Sequence, residues 1–339
     1  MIGSGGALHR LVLSVAVALV AAGCAEVPSG RLLVTSGFTD QVFVLDAATG
    51  EVLDSLWLDP RPGERDEPHG IAVSPDGQHF YVTLSHGEPT LWKYESEGLR
   101  LVGRVPLPTS GAARVRLSPD GEMAAVPDYW LSGGGVNSRV AFVNTRDLTI
   151  HASPEVCPAP HDASYSPDGA FIAVTCAGGD QLVILDAADL SDFQRLSTEA
   201  GAKPMNVAWR DNSRLFLTLG AAPHVVDVDL NTPGSRTLLS TDDGGAQIEV
   251  GRDRAVVANR GAGTVSIVDL LRGGTRSVVI PGANPHGVAL SPGRSIAYVT
   301  YEGNTRSRGG VVAVDLASGD IVWHTDVGVF TLGVAVLPE

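Results

Sequence analysis

The chain beyond residue 30 consists of short apolar runs, rich in β-branched residues, bounded by glycine, proline, aspartate and serine. Helical i, i+3, i+4 spacing is not sustained there, so the pattern favours β-strands joined by tight turns. The segment Pro-His-Gly-Ile-Ala-Val-Ser-Pro at residues 68–75 returns as Pro-His-Gly-Val-Ala-Leu-Ser-Pro at residues 285–292. Where the turn reads Ser-Pro-Asp-Gly, proline presets φ and glycine accepts positive φ, so the chain reverses tightly. The sequence therefore predicts a repeated antiparallel β unit.

The spacing of this repeat predicts the architecture. Its copies stand about 40 to 48 residues apart, at His69, Ala113, His161, Met205, Ala246 and His286. This period is that of a four-stranded propeller blade and not of a helical solenoid. The pattern begins with a second strand, residues 31–35, and the missing first strand stands at the far end, residues 332–337. We therefore predict an all-β fold, a seven-bladed β-propeller of four-stranded antiparallel blades, closed when the C-terminal strand joins the N-terminal blade.

The beginning of the chain has the pattern of an export signal. An apolar run at residues 11–22 follows His9-Arg10 and ends at Gly23-Cys24, and it is too short for a spanning helix, which needs about 20 residues. The small residues 21–23 before Cys24 resemble a bacterial lipoprotein cleavage box. We predict a lipoprotein signal peptide at residues 1–23, a lipidated tether at residues 24–30 and one propeller domain at residues 31–339. The alternative is ordinary signal-peptide cleavage nearby, with Cys24 incidental.

These features predict a location in the bacterial cell envelope, with the domain attached to a membrane by its lipid anchor only. Ala25, rather than an acidic residue, follows Cys24, which favours the outer membrane if the host is Gram-negative. The formal net charge of −14 argues against nucleic acid as a partner, because phosphate binding needs basic clusters. The acidity is suited to keeping an exported domain soluble, and we expect a monomer.

Two further cysteines, Cys157 and Cys176, flank one predicted hairpin. A turn at Pro167-Asp168 brings them roughly opposite each other, and an exported compartment is oxidising. We predict a disulfide that staples one blade. The alternative is a pair of buried free thiols, or a Cys157 displaced by the kinks at Pro158 and Pro160.

Several strand signatures carry a family resemblance. They are Phe-Tyr-Val-Thr at 80–83, Ala-Tyr-Val-Thr at 297–300, Gly-Thr-Val-Ser-Ile-Val-Asp at 263–269 and Val-Ala-Val-Asp-Leu-Ala-Ser-Gly at 312–319. These units resemble the YVTN-type (YncE-like) repeats of seven-bladed propellers, and the resemblance covers residues 31–339. It implies an extracytoplasmic propeller related to surface-layer and lactonase-like proteins. Units three, five and six depart from the pattern. In unit three, Pro-Asp-Tyr-Trp at 127–130 stands in place of the strand-end signature.

The first strand of a propeller blade lines the central channel, which places His69, His161 and His286 around one mouth. Imidazole is the commonest metal ligand, so three of them could hold a divalent transition metal such as zinc, copper or iron. Asp162 is a further candidate ligand or hydrogen-bond acceptor beside His161. The alternative is a solvated channel rim. The equivalent positions in the other units hold residues that cannot complete a ring of hard ligands: Ala113, Met205, Ala246 and Leu332.

Two enlarged loops are predicted on the same face, one in unit three and one in unit seven. Aromatic, arginine and asparagine side chains suit contacts with a ligand or partner. The candidate contact residues are Tyr129, Trp130, Asn137, Tyr301, Glu302, Asn304, Arg306 and Arg308. The alternative is ordinary variation in loop length, which surface loops tolerate.

No nucleophile elbow, phosphate loop, haem-attachment motif or zinc-protease motif occurs in the sequence. We therefore expect a non-catalytic binding or scaffold module that contacts an envelope protein, peptide or glycan through the loop face, with no resident cofactor. The alternative function is that of a metal-dependent, lactonase-like hydrolase or lyase, which would use the three histidines at the channel mouth.

Overall fold

The computed structural model describes residues 1, 30–129, 135–232, 236–282, 284–304 and 306–338. Within these ranges the chain forms β-strands and no helix. In the same part of the chain, no helix has the length and apolar character needed to cross a membrane. The predicted lipidation site, Cys24, and the predicted contact residue Trp130 lie outside the described residues.

The strands form seven antiparallel sheets, which are the blades of a propeller. The strands of blades one and two are β1 (Arg31–Ser36), β2 (Gln41–Asp46), β3 (Val52–Trp57), β4 (Pro68–Val73), β5 (His79–Leu84), β6 (Thr90–Glu95) and β7 (Leu101–Pro106). Those of blade three are β8 (Arg116–Leu117), β9 (Met123–Pro127), β10 (Asn137–Asn144) and β11 (Thr149–Ala152), with β12 (Glu155–Pro158) also paired to β10.

The remaining blades are regular four-stranded sheets. Blades four and five consist of β13 (Pro160–Tyr165), β14 (Phe171–Cys176), β15 (Gln181–Asp186), β16 (Asp192–Ser197), β17 (Pro204–Trp209), β18 (Arg214–Leu219), β19 (His224–Asp229) and β20 (Arg236–Ser240). Blades six and seven consist of β21 (Gly245–Val250), β22 (Arg254–Asn259), β23 (Thr264–Asp269), β24 (Thr275–Val279), β25 (Pro285–Leu290), β26 (Ile296–Tyr301), β27 (Gly310–Asp315) and β28 (Ile321–Asp326). The last strand is β29 (Thr331–Leu337).

The ring closes as the phase of the repeat predicted. Strand β29 pairs antiparallel with β1, with Leu33 opposite Ala335 and Val34 opposite Val334. It is the first strand of blade one, followed by β1, β2 and β3. The prediction of a seven-bladed propeller latched by its C-terminal strand is therefore confirmed.

The core lies between blades rather than within any one of them. Leu33 and Val44 of blade one pack in one cluster with Val82 and Trp92 of blade two, and the other blade pairs repeat this arrangement. The two middle strands of each blade are buried on both faces, which explains why their sequences read as continuous apolar runs. The outermost strands are largely exposed.

A threonine at the end of the second strand ties neighbouring blades together in five of the seven blades. Its hydroxyl accepts a hydrogen bond, 2.7–3.0 Å long, from a backbone N–H of its own first strand. The same hydroxyl donates one, 2.6–3.2 Å long, to a first-strand carbonyl of the next blade. The residues are Thr35, Thr83, Thr175, Thr218 and Thr300. The threonine near the end of these second strands is therefore a structural link between blades.

Blades three and six lack this threonine, and blade three is the least regular of the ring. Pro127 and Ala258 occupy the corresponding positions. Proline supplies no side-chain hydroxyl, and the first strand of blade three shrinks to Arg116–Leu117. The departures that the sequence showed in these units thus coincide with lost links between blades.

Cys157 and Cys176 form a disulfide, with an S–S distance of 2.02 Å and a Cα–Cα distance of 5.8 Å. The hairpin argument predicted that this bond would lie within one blade, and that placement is wrong. Cys157 lies on β12, which pairs with β10 of blade three, whereas Cys176 ends β14 of blade four. The bond therefore joins blades three and four, beside the blade that lacks its threonine link.

Candidate functional site

In six of the seven blades, the first strand begins at the same mouth of the channel, directly after a residue with left-handed backbone geometry. This residue is Glu67 (φ 55°) before β4, Lys203 (φ 55°) before β17 and Phe330 (φ 59°) before β29. Ala159, Gly244 and Asn284 occupy the same place in three other blades. A side chain costs about 1–2 kcal/mol in this conformation, so the turn is imposed by the ring rather than by local preference.

Two residues further on, one side chain from every blade faces a common cavity of about 540 Å³. We call these seven residues the mouth ring: His69, Ala113, His161, Met205, Ala246, His286 and Leu332. The structure thus places the three predicted histidines on one cavity, separated by small or apolar residues.

The cavity walls are largely apolar and aromatic. The Phe38 and Phe330 rings lie 4.4 Å apart, and the Arg65 guanidinium lies 3.6 Å from the Phe38 ring centroid. On another wall, the Tyr129 and His161 rings meet edge-to-face at 4.3 Å. Such walls suit a ligand with a substantial apolar face.

Two of the histidines that line this cavity each have a buried ring nitrogen with no hydrogen-bond partner among the described residues: His69 Nε2 and His286 Nδ1. The two rings lie edge-to-face with centroids 5.7 Å apart. The His286 side chain is buried, and that of His69 is only 11% exposed. A buried polar atom without a partner costs free energy, so its presence in a cavity marks a place where a ligand can bind.

The buried histidines are neutral at pH 7. Burial lowers the pKa of His161 to about 4, and the nearby His69 lowers it further while the Met205 carbonyl opposes the shift. Burial likewise lowers the pKa of His286 well below its usual value, together with the charges of His69, His161 and Arg260, while the nearby Leu332 backbone opposes the shift. A neutral imidazole offers one donor and one acceptor, so these rings can bind an uncharged polar group.

The three histidines do not converge as metal ligands. His161 Nδ1 lies 2.6 Å from the Met205 carbonyl oxygen and is engaged there. Throughout the described ranges, no group of three or more His, Cys, Asp or Glu side chains could hold a metal ion. The geometry therefore supports a ligand cavity lined by histidines better than the three-histidine metal site that the sequence suggested.

A compact acid–base cluster lies on one side of the cavity. Glu67 places one carboxylate oxygen 3.2 Å from His69 Nδ1 and the other 2.8 Å from His86 Nε2. Burial opposes ionisation of Glu67, but contacts with His69 and His86 outweigh it and hold its pKa below the usual range. In the neutral tautomer of His69 whose Nδ1 donates to this carboxylate, Nε2 is an acceptor.

The charges lining the cavity are balanced. Arg260 donates to both carboxylate oxygens of Glu302, at 2.7 and 2.8 Å, and the Glu302 side chain is only 4% exposed. Arg65 and Glu67 supply the other charged pair of the lining. The two arginines and two glutamates of the described lining therefore balance in charge.

The next position along each first strand is used differently, and we call it the bracing ring: Gly70, Arg114, Asp162, Asn206, Gln247, Gly287 and Gly333. Each of its three acceptor side chains takes a hydrogen bond from a backbone N–H of the following blade. A Cβ at Gly70, Gly287 or Gly333 would lie within 2.7 Å of the next blade's backbone, so glycine is required there. This ring holds the blades together.

Asp162 belongs to the bracing ring and does not serve His161. Its carboxylate accepts from Val207 N at 3.2 Å and from Asn206 Nδ2, and it pairs with Arg116 at 3.3 Å. Burial raises its pKa, but Arg116 and Arg114 outweigh burial and lower it. The sequence suggestion that Asp162 supports a metal-binding histidine is therefore wrong.

The structure brings only part of the predicted contact loops to the cavity. Tyr129 and Glu302 line it. Tyr301 is buried, with its hydroxyl 2.5 Å from Asp326, because it packs in the core between blades six and seven. Asn137 is exposed on β10, Asn304 accepts from the Arg306 backbone within its own loop, and Arg306 and Arg308 are exposed outside the cavity lining.

Several cavity residues escaped the sequence argument, and the aromatic and charged ones among them include Phe38, Arg65, Arg260 and Phe330. Phe330 stands two residues before the mouth ring, and Arg260 directly follows the second strand of blade six. The repeat phase that located the histidines also marks these two places. A search of each repeat at those offsets for large or charged side chains would have found both.

Comparison with solved structures finds the same fold in several proteins. A functionally unknown protein from Desulfotomaculum acetoxidans is 17% identical, with a TM-score of 0.72, and the match covers 92% of this chain and 100% of that one. Proteins from Bacteroides uniformis and Bacteroides fragilis, provisionally described as 6-phosphogluconolactonases, are 16% and 15% identical, with TM-scores of 0.70 and 0.66. These matches cover 91% and 92% of this chain and 99% of each of those chains.

No family model and no curated protein matches the sequence. At these identities the structural likeness shows the fold alone, a propeller whose neighbours are of unknown or lactonase-like function. Function has to be argued from the cavity itself.

Proposed function

We propose that this chain is an extracytoplasmic, lipid-anchored binding protein of the YVTN-repeat type, whose mouth cavity takes a small, uncharged and largely apolar ligand. This proposal keeps the binding module that the sequence predicts. It narrows the ligand from an envelope protein, peptide or glycan to a small molecule, because the candidate binding residues converge on a cavity and not on the exposed loops.

The observation that carries the proposal is that two histidines lining the same cavity, His69 and His286, each have a buried ring nitrogen, Nε2 and Nδ1, without a partner among the described residues. The fold does not need them, since the blades are joined through the threonines and the bracing ring. A ligand with two hydrogen-bonding groups on an apolar frame would satisfy both nitrogens and fill the walls made by Phe38, Tyr129 and Phe330.

The charge balance favours an uncharged ligand. Arg260 is neutralised by Glu302, and Glu67 offsets Arg65. The whole chain carries a formal charge of −14, so its field would repel an anion from a site that offers no excess positive charge.

The position of the chain's N-terminal end fits an anchored binding protein. Arg31 pairs with Leu337, which is the end of β29 farthest from the mouth ring. A tether of residues 24–30 would span at most about 25 Å. Attachment through Cys24 would therefore hold the far side of the propeller near the membrane and direct the cavity away from it.

The test is ligand capture from the small-molecule fraction of envelope extracts, read by mass spectrometry after rapid filtration. We expect one or a few compounds to be enriched on the wild-type protein and lost on A246F, which fills the cavity without removing a polar group. The control variant R306S/R308S alters only exposed loop residues and should retain them. Enrichment of nothing, or equal capture by A246F, would refute the cavity as a binding site.

A second candidate function is lactone hydrolysis, which the Glu67 cluster favours. A carboxylate between two imidazoles is an arrangement that can move a proton to or from a bound water or ester. Two structural neighbours are provisionally described as lactonases, which is consistent with this candidate without carrying it.

This candidate is tested with a panel of simple lactones, measuring acid release at constant pH. Turnover that falls by about a hundredfold or more in E67Q would support general acid–base chemistry at this cluster. Elemental analysis of the purified protein shows whether a transition metal is bound, and turnover before and after chelator treatment shows whether activity depends on it. An absence of turnover across the panel leaves the binding function as the proposal.

A further inference from the structure

The opposite mouth of the channel contains a second cavity, of about 820 Å³, with a different chemistry. Four arginines line it, against the acidic residues Glu249 and Asp253. They are Arg116, Arg210, Arg252 and Arg294. In a chain with a formal charge of −14, this is a local excess of positive charge.

The arginines replace a regular feature of the repeat. In blades two, three and four the turn after the first strand reads Ser-Pro-Asp-Gly, and its aspartate accepts from the serine hydroxyl. Blade five has Arg210 in place of the serine, blade six has Arg252 in place of the proline, and blade seven has Arg294 in place of the glycine. Three consecutive blades thus turn arginines toward one cavity.

Arg294 occupies its place against backbone preference. Its φ is 55°, in the left-handed region where blades two to four use Gly77, Gly121 and Gly169. Glycine would adopt this conformation without strain, whereas any other side chain costs about 1–2 kcal/mol. An arginine kept in a strained backbone conformation, at a turn that departs from the Ser-Pro-Asp-Gly sequence of blades two to four, indicates a function beyond folding.

The four guanidinium groups differ in how many salt bridges and hydrogen bonds they form within the protein. Arg116, at the channel side of the cavity, pairs with Asp162 and Glu249, and Arg294 donates to the Val250 carbonyl. Arg210 and Arg252 form no salt bridge with any described residue. The half-buried Trp209, whose indole N–H donates to the Ser164 carbonyl at 3.0 Å, adds a flat aromatic wall to the cavity.

We infer that this cavity, the arginine well, binds a small compound that carries two or more negative charges as phosphate or carboxylate groups. Guanidinium groups bind both kinds of anion through paired N–H donors. The inference does not rest on the proposed function of the mouth cavity, because none of the residues that the structure describes lines both cavities.

The test is calorimetric titration of the full chain with pyrophosphate and, separately, with citrate at low ionic strength. Binding of either supports the arginine well, and the tighter of the two identifies phosphate or carboxylate as the favoured group. We expect R210S/R252S to weaken binding by about tenfold or more, since it removes two charge-assisted contacts. The control R146S/R272S removes two highly exposed arginines elsewhere, with the same change in net charge, and should alter affinity by no more than about twofold.

A second variant guards against misfolding of the first. R294G restores the glycine of blades two to four and relieves the positive φ, so it should keep the melting temperature while weakening anion binding several-fold. The cavity-filling A246F variant should bind the anions as the wild type does. The inference is overturned if neither anion binds at about 10 mM, or if R146S/R272S loses as much affinity as R210S/R252S.

Discussion

The mouth ring and the bracing ring lie one residue apart on the same first strands, yet their side chains are used in opposite ways. In the bracing ring, Asp162, Asn206 and Gln247 each accept from the backbone of the next blade. In the mouth ring, His69 and His286 line a cavity, and His69 Nε2 and His286 Nδ1 have no hydrogen-bond partner among the described residues. Three side chains of the bracing ring therefore bind the backbone of the next blade, whereas the mouth ring above it borders a cavity that is available for a ligand.

The largest effect should follow from breaking the bracing ring at Asp162. In D162A, Arg114 and Arg116 lose a buried counter-charge, and Val207 N and Asn206 lose their acceptor. Removing one partner of a buried ion pair costs about 3–5 kcal/mol. Equilibrium unfolding in urea measures the loss, and the conservative D162N variant, which keeps an oxygen for Val207 N, should lose less. A loss below about 1 kcal/mol for D162A would contradict the role of this ring.

A smaller loss is expected from the links between blades. T83V removes the hydroxyl that accepts from Gly70 N and donates to the Ala113 carbonyl, both buried. Each buried backbone group left unsatisfied costs about 1–3 kcal/mol. The variant T83S keeps the hydroxyl and serves as the control in the same unfolding experiment. Equal stability of T83V and T83S would show that packing of the side chain, and not its hydrogen bonds, joins the blades.

Features that depend on local sequence could be predicted, whereas features that depend on contacts between distant segments could not. The blade count and the closing strand followed from the period and phase of the repeat, because the turn and strands of each repeat are determined by its own residues. The disulfide partners were evident from spacing, but the blade that holds Cys157 was not, because the outer strand of blade three is split into β11 and β12.

The site was only partly predictable for a related reason. The phase of the repeat placed three histidines at one mouth. It could not show that Asp162 turns toward Arg116, that Tyr301 packs inward, or that Arg260 reaches Glu302 across a blade boundary. Those contacts depend on how neighbouring blades are rotated about the channel, which no local pattern records.

The pH dependence of stability tests a mouth-ring residue that, unlike His69 and His286, is hydrogen-bonded within the fold. His161 belongs to the mouth ring, but its Nδ1 is hydrogen-bonded to the Met205 carbonyl. Burial holds its pKa in the folded protein near 4, below its usual value of 6.5. The unfolded chain therefore binds an extra proton between these values, and the stability that neutral His161 contributes is lost as the pH falls through that window. We expect the gap in unfolding free energy between wild type and H161N to narrow by about 2 kcal/mol from pH 7 to pH 5. Urea unfolding at both pH values measures it, and an unchanged gap would contradict a neutral, buried His161.

The smallest effect on stability is expected at His286, and it is the most direct test of what the mouth ring is for. H286L replaces a buried imidazole, with Nδ1 unpartnered among the described residues, by an apolar side chain. Because no hydrogen bond to Nδ1 is lost, unfolding free energy at pH 7 should change by less than about 1 kcal/mol, in either direction. Ligand capture, by contrast, should be lost. A side chain whose replacement leaves the fold intact but abolishes binding is retained for binding, whereas a large loss of stability in H286L would assign the mouth ring to the fold, as the bracing ring is.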